Sequence, residues 1–176
     1  EMVADVLAGD RLIGMVLLKP GWDREPTESP SVFSIGCAGL ISHVEQLDDG
    51  RYNIVLLGIE RFRIVDEEVE GSYRLARVDY LVDAMTAVDR QALRQQRHKL
   101  ERLLTVSIEA PDHPFPSSLS DEEVITALAP YLDLDPIERQ ALLECENVSS
   151  RSDALAELLE MKAMAHSAPP GRGLLH

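Results

Sequence analysis

The sequence predicts an α+β fold: a curved β-sheet lobe over residues 1–84, a helical lobe over residues 85–166 and a mobile tail over residues 167–176. Three observations carry this reading. Alternating, β-rich runs crowd the stretch from Ser34 to Val82, and Asp48-Asp49-Gly50 sits between two of them as a hairpin signal. Near Ala84 the apolar period then changes from two to about 3.6.

Taken in order, Glu1 to Leu7 reads as the end of a helix, with Met2, Val3, Val6 and Leu7 on one side and Gly9 just past it as the C-cap. Arg11 to Leu18 is a mostly apolar strand. Pro20 to Ser31 has loop composition and holds the only tryptophan, Trp22. The hairpin pairs Gly39 to Leu47 with Tyr52 to Ile59, and Asp-Gly supplies the positive φ angles of a two-residue turn. Both faces of the second strand are largely apolar, which predicts cover on both sides. Gly58 predicts a bulge, a bend or a close backbone approach, and a sharp bend of the chain there. Arg61 to Ile64 then alternates, placing Phe62 and Ile64 inward and Arg61 and Arg63 outward. Glu67 to Gly71 reads as an acidic turn, and Tyr73 to Val82 as an edge or rim strand, because neither of its faces is purely apolar.

Val88 to Glu109 reads as one long amphipathic helix whose polar, arginine-rich first half projects from the core or bridges the lobes. Pro111, Pro114 and Pro116 end it, with Phe115 stapling the connection. Three shorter helices follow. Ser120 with Glu123 is a capping box, Asp135-Pro136-Ile137-Glu138 marks a second start, and Ser150 with Asp153 a third.

Composition bounds the function. The 176 residues are 45% hydrophobic and 27% charged, with a net charge of −14, so the chain has enough apolar content to fold and is not disordered. No apolar run approaches the roughly 20 residues that cross a bilayer, so no membrane partner is expected. On either side of Met85 the charge is −8 and −6, which leaves no basic lobe for a phosphate backbone and argues against nucleic acid. Cys37 and Cys145 belong to no C-x-x-C pair, which points to reduced, structural cysteines in the cytoplasm. The five histidines do not cluster, so neither a metal nor another cofactor is expected.

No G-x-x-x-x-G-K-[ST] loop and no nucleophile elbow occur, and adjacent acids such as Glu67-Glu68 point apart, so no catalytic residue is assigned. The one enzymatic alternative is a small cytosolic hydrolase with Glu60, His43 and Cys37 gathered by the hairpin. It requires the three to converge within hydrogen-bond reach.

The run Ile35-Gly36-Cys37-Ala38-Gly39-Leu40-Ile41, the turn Asp49-Gly50-Arg51 and the patch Gly58-Ile59-Glu60-Arg61-Phe62-Arg63-Ile64 together resemble the signature of the Lon protease amino-terminal domain family. Tyr131 to Glu144 is similar to that family's helical part. The resemblance implies a mixed sheet or pseudo-barrel of the PUA-like kind followed by helices, with structural roles for Gly36, Gly50, Gly58, Arg61 and Phe62. It also implies a strand before the first helix; this sequence starts at Glu1, after that strand, which would leave an open sheet edge and a route to homo-oligomers. The implied function is recognition of unfolded or extended polypeptide without chemistry, an oligomerisation or adaptor role being the other non-enzymatic option. Trp22 and Phe33 are the candidate binding surface, since such a surface needs exposed aromatic or apolar residues.

Overall fold

The computed structural model describes residues 1–24, 29–83, 87–108, 118–129 and 132–167. Pro111, Pro114, Phe115, Pro116 and Tyr131 lie outside the described residues, as does the expected tail beyond Ser167. The chain divides into two compact units, Glu1–Val82 and Asp83–His176.

The first unit comprises helix α1 (Met2–Leu7) and strands β1 (Leu12–Met15), β2 (Ile35–Gln46), β3 (Tyr52–Glu70) and β4 (Tyr73–Tyr80). The strands form one sheet in the order β1-β2-β3-β4. The α+β class is as the sequence predicts, but all three ladders are antiparallel where a mixed sheet was expected. Short connections explain this for β2-β3 and β3-β4, because a parallel pair needs a crossover of a dozen or more residues.

The sheet is built on one long strand. The two runs expected on either side of Gly58 are a single 19-residue strand. The strand runs through Gly58 without a break in its assignment. The chain absorbs the curvature in bulges: Ala38 pairs with Glu60 and Gly39 with Gly58, which leaves Ile59 as an extra residue on β3. Ser42 on β2 and Val65 on β3 are extra in the same way. Each bulge adds local twist without ending the strand. Glu67 to Glu70 therefore belongs to β3, and the expected acidic turn shrinks to Gly71 and Ser72, with Gly71 at φ 76°. A glycine at the first of two turn residues fits the II′ type.

At Asp48-Asp49-Gly50 the loop has three residues, not two. The Gly50 N–H donates to the Leu47 carbonyl at 3.0 Å, the Leu47 N–H donates to the Arg51 carbonyl at 2.8 Å, and only Gly50 has positive φ, 83°. This is a type I turn closed by a left-handed glycine. Past α1, the positive φ likewise falls on Arg11, at 61°, and not on Gly9.

Phe62 is the anchor of this unit. It is 4% exposed, and a Cβ added to Gly36 would lie 2.8 Å from its ring, 2.6 Å from Val16 Cγ1 and 2.5 Å from the Met15 carbonyl oxygen. Only glycine fits there. Arg61, expected on a wet face, is 8% exposed, so both sides of β3 are covered at this point. Its long aliphatic stem makes such burial tolerable. The two open edges of the sheet are linked through α1: Ser72 Oγ donates to Glu1 at 2.9 Å and the Tyr73 hydroxyl to Asp5 at 2.9 Å. The Arg74 guanidinium also reaches the Pro30 carbonyl.

The second unit holds α2 (Ala87–Ile108), α3 (Asp121–Leu128), α4 (Pro136–Glu144) and α5 (Val148–Ser167). Leu93, Leu100 and Leu104 on α2 and Val148, Leu155 and Leu159 on α5 repeat one spacing, and all six are at most 1% exposed in a shared core. The spacing keeps each trio on one face of its helix. Leu93 lies in that core, so the first half of α2 does not project. Two of its polar residues are tied down: Gln96 donates to Asp153 at 2.7 Å, and Arg97 pairs with Glu101 at 2.9 Å and with Asp121 at 3.2 Å. Arg151 is buried but donates to the Leu142 carbonyl and pairs with Asp83 at 3.3 Å. α5 begins earlier than Ser150, because the Asn147 side chain accepts from the Ser150 N–H at 2.9 Å and Ser150 Oγ accepts from the Asn147 N–H. Asn147 is the cap, and Ser150 takes the reciprocal third position.

The glycines separate into testable cases. Gly36→Ala should cost about 1–3 kcal/mol by overpacking. Gly58→Ala, whose Cβ would meet only Cys37 Sγ at an ordinary 3.5 Å, should change stability by less than about 0.5 kcal/mol. Gly50→Val should cost about 1 kcal/mol or more, with Gly50→Asn milder, because the space around Gly50 is open and the penalty is the backbone angle alone. Urea melts of the four variants check the order. Ser120 Oγ accepts from the Glu123 N–H, and the Ser120 N–H donates to the Glu123 carboxylate at 2.7 Å. Ser120→Ala should therefore cost about 1 kcal/mol. The bond from the Ser120 N–H also holds the Glu123 pKa below its ordinary value. Its stabilisation is complete above the ordinary glutamate range and is lost as pH falls through the lowered value, so Glu123→Gln should flatten that part of the acid limb in melts across pH.

Candidate functional site

The hairpin does not assemble a catalytic group. Cys37 and His43 stand six residues apart on β2, roughly 20 Å at the rise of a strand. Glu60 is near Cys37, opposite Ala38, whereas His43 pairs with Val55. Burial pushes the Cys37 thiol above its ordinary pKa, and the Glu60 carboxylate pushes it further, against the pull of the Ile59 N–H. A thiol held protonated is a poor nucleophile. Neither Cys37 nor Cys145 is in a disulfide. Among the described residues no group of three or more His, Cys, Asp or Glu side chains could hold a metal ion.

What the first unit does present is apolar surface. Val55, Leu57 and Ile59, at alternate positions of β3, are 55%, 60% and 54% exposed. The sequence pattern predicted cover on both faces of this strand, and the structure leaves these three bare. Leu57 stands in register with Leu40 on β2, and Leu40 with Leu12 on β1, so the apolar row crosses three strands. Leu40 is half-buried and Leu12 is exposed. Nothing in the period of the sequence marks these residues as exposed, because an apolar run reads as buried whether or not anything covers it.

Trp22 is 54% exposed. It stands at a hollow of about 360 Å³ between Pro20 and Pro30, with Lys19 and Arg24 beside it. The ribbon beneath is short: Leu18 bridges Val32, and the Phe33 N–H donates to the Leu17 carbonyl at 2.9 Å. Phe33 is half-buried at the base of that ribbon and is not among the residues that line the hollow.

The wider relationships of the chain agree with this picture of a binding scaffold. The model of the ATP-dependent protease La (LON) substrate-binding domain matches residues 1–161. Lon protease 2 of Myxococcus xanthus is 26% identical over 92% of this chain, and the Lon protease of Paraburkholderia phytofirmans 31% identical over 82%. The chain spans about a fifth of the length of these relatives, 20% and 19%. Among solved structures, the N-terminal domain of Mycobacterium avium complex Lon protease aligns with a TM-score of 0.58 at 16% identity, covering 85% of this chain and 89% of that one. The Lon N-terminal domain protein of Xanthomonas campestris aligns at 0.55 and 20% identity, covering 89% and 80%. These likenesses speak for the fold. With the family model matched along most of its length, the chain belongs to the Lon substrate-binding domain family.

Proposed function

We propose that this chain is a non-catalytic module that binds unfolded or extended polypeptide in the cytoplasm. The observation that supports it is the bare apolar row on β3, Val55, Leu57 and Ile59, of which Val55 and Leu57 stand in register with β2 and Ile59 at the bulge beside them. An exposed row of this kind on a monomer is the feature expected of a surface that meets other polypeptides. Trp22 supplies a second anchor, with an apolar ring and an indole N–H for a partner. Phe33 steadies the ribbon under it. The separation of Cys37 from His43 speaks against the hydrolase, and the net charge of −14 against nucleic acid. Two cysteines outside any disulfide fit a reducing compartment. The open sheet edge offers backbone groups for a second copy, a use that competes with peptide.

Binding should be weak, in the micromolar range or looser, because a sequence-tolerant surface lacks the enclosed hot spots of tight complexes. Calorimetric titration of a permanently unfolded basic protein, beside a folded control of equal charge, measures it at low and at physiological salt. Preference for the unfolded partner should survive salt and fall with Leu57→Ser and with Trp22→Ala. Equal binding of both partners that vanishes with salt would reduce the effect to net charge and defeat the reading. Neither ATPase nor peptidase activity should accompany it.

A further inference from the structure

The first half of α2 is basic in an acidic chain. Arg90 to Arg102 holds five of the 17 Lys and Arg side chains and one of the 31 Asp and Glu, so this stretch carries +4 and the rest of the chain −18. Its one acid, Glu101, is turned inward, 14% exposed and paired with Arg97, which also reaches Asp121. Arg90, Arg94, His98 and Arg102 follow one another at intervals of four, which sets them in a single row along the helix, and all four are exposed. The Arg94 side chain is 79% exposed and its pair with Asp121 is 3.6 Å long, while among the described residues no ion pair joins Arg90 or Arg102 to an acid. The exposed neighbours Gln91 and Gln95 bring no acid either.

Helix formation works against this row. Arg90 and Arg94 repel at a separation of one turn, and Arg90, the fourth residue of α2, stands near the end where the helix dipole favours acids. A local rule broken with little return inside the chain marks a surface that meets something else. The row spans about 18 Å in steps of about 6 Å. Alternate side chains of an extended chain stand about 6.7 Å apart on one face, so carboxylates at alternate positions meet successive cations, and the arginine forks can take them in paired bonds. An extended chain also follows the slant of such a row, about 26° to the helix axis. A nucleic-acid backbone fits less well, because its charges, one per about 1.7 Å of duplex, run on past the row into a chain that is acidic elsewhere. We infer that the Arg90 to Arg102 row of α2 binds an extended polypeptide segment with Asp or Glu at alternate positions. This goes beyond the reading above: the row lies in the other unit, takes the opposite charge and needs no apolar contact.

The test is the anisotropy of a fluorescein-labelled peptide, Gly-Asp-Thr-Asp-Thr-Asp-Thr-Asp-Gly, titrated with the full chain at low and at physiological salt. Its labelled companions are a version with Asn for every Asp, a version of the same composition with the four Asp consecutive, and a pentathymidylate with four phosphodiesters. Arg90→Gln with Arg94→Gln and Arg102→Gln removes the row; Arg51→Gln with Arg63→Gln and Arg77→Gln removes equal charge from exposed positions of the β unit. The expected result is a roughly tenfold or larger loss of affinity in the first triple variant, as three exposed ion pairs would give, and no comparable loss in the second. The first should melt at or above the parent temperature, since like charges have left the helix. If it melts lower, Arg94→Gln and Arg102→Gln singly take its place, each with a loss of about threefold. The alternating peptide should bind tighter than the Asn version and the consecutive one, and Leu57→Ser should bind it as the parent does. Equal losses in the two triple variants reduce the effect to net charge and overturn the inference, as does equal binding of the alternating peptide and either altered peptide. A pentathymidylate that binds tighter than the peptide, and is lost with the row, overturns it in favour of nucleic acid. Failure of the acidic peptide while the unfolded basic protein still binds sinks this inference alone, and the reverse result sinks the reading built on β3 alone.

Discussion

The β unit depends on one fitted contact, the Phe62 ring laid across two glycines. Gly36 on β2 and Gly14 on β1 stand where added Cβ atoms would lie 2.8 and 3.1 Å from the ring. Two neighbouring strands thus give up their side chains so that one aromatic ring on the third can be enclosed. The sheet curls around that ring, and α1 spans the gap between its edges. Enclosing a phenylalanine contributes about 2–3 kcal/mol, a large share of the stability of a unit whose other buried apolar side chains are Ile13, Ile35, Ala38 and Ile41. The helical unit distributes the same burden over a broad leucine core.

How much was legible in the sequence follows from what each signal measures. The hairpin, the change of period near Ala84 and the Ser120 capping box are local, and each was readable to within a few residues. Gly36 was readable as a signature position but not as a packing necessity, because the atoms that exclude a side chain come from Met15, Val16 and Phe62, distant in sequence. Of the irregularities expected at Gly58 the ladder shows a bulge, at Ile59, and which form it takes is a property of a pair of strands that leaves little trace in one. The first half of α2 misled because a polar face looks solvated until Asp153 and Asp121 arrive to meet it.

The candidate surfaces were the least legible part. Trp22 could be named from its loop, but the hollow beside it could not, because Lys19, Pro20, Pro30 and Ser31 come together only when the ribbon pairs. The row on β3 was hidden by its own composition, since Val55 and Leu57 would look the same inside a sandwich.

The closure made by α1 has a kinetic side. Every strand pairing in the β unit joins strands that follow one another in the chain, so the sheet can grow hairpin by hairpin at small loop-closure cost. The bonds from Glu1 to Ser72 and from Asp5 to Tyr73 instead join residues 71 and 68 apart. They can form only when the sheet between them already has its curvature, which places the docking of α1 last in assembly and first in local opening. α1 is then the latch of the unit, held to the sheet by two exposed side-chain hydrogen bonds.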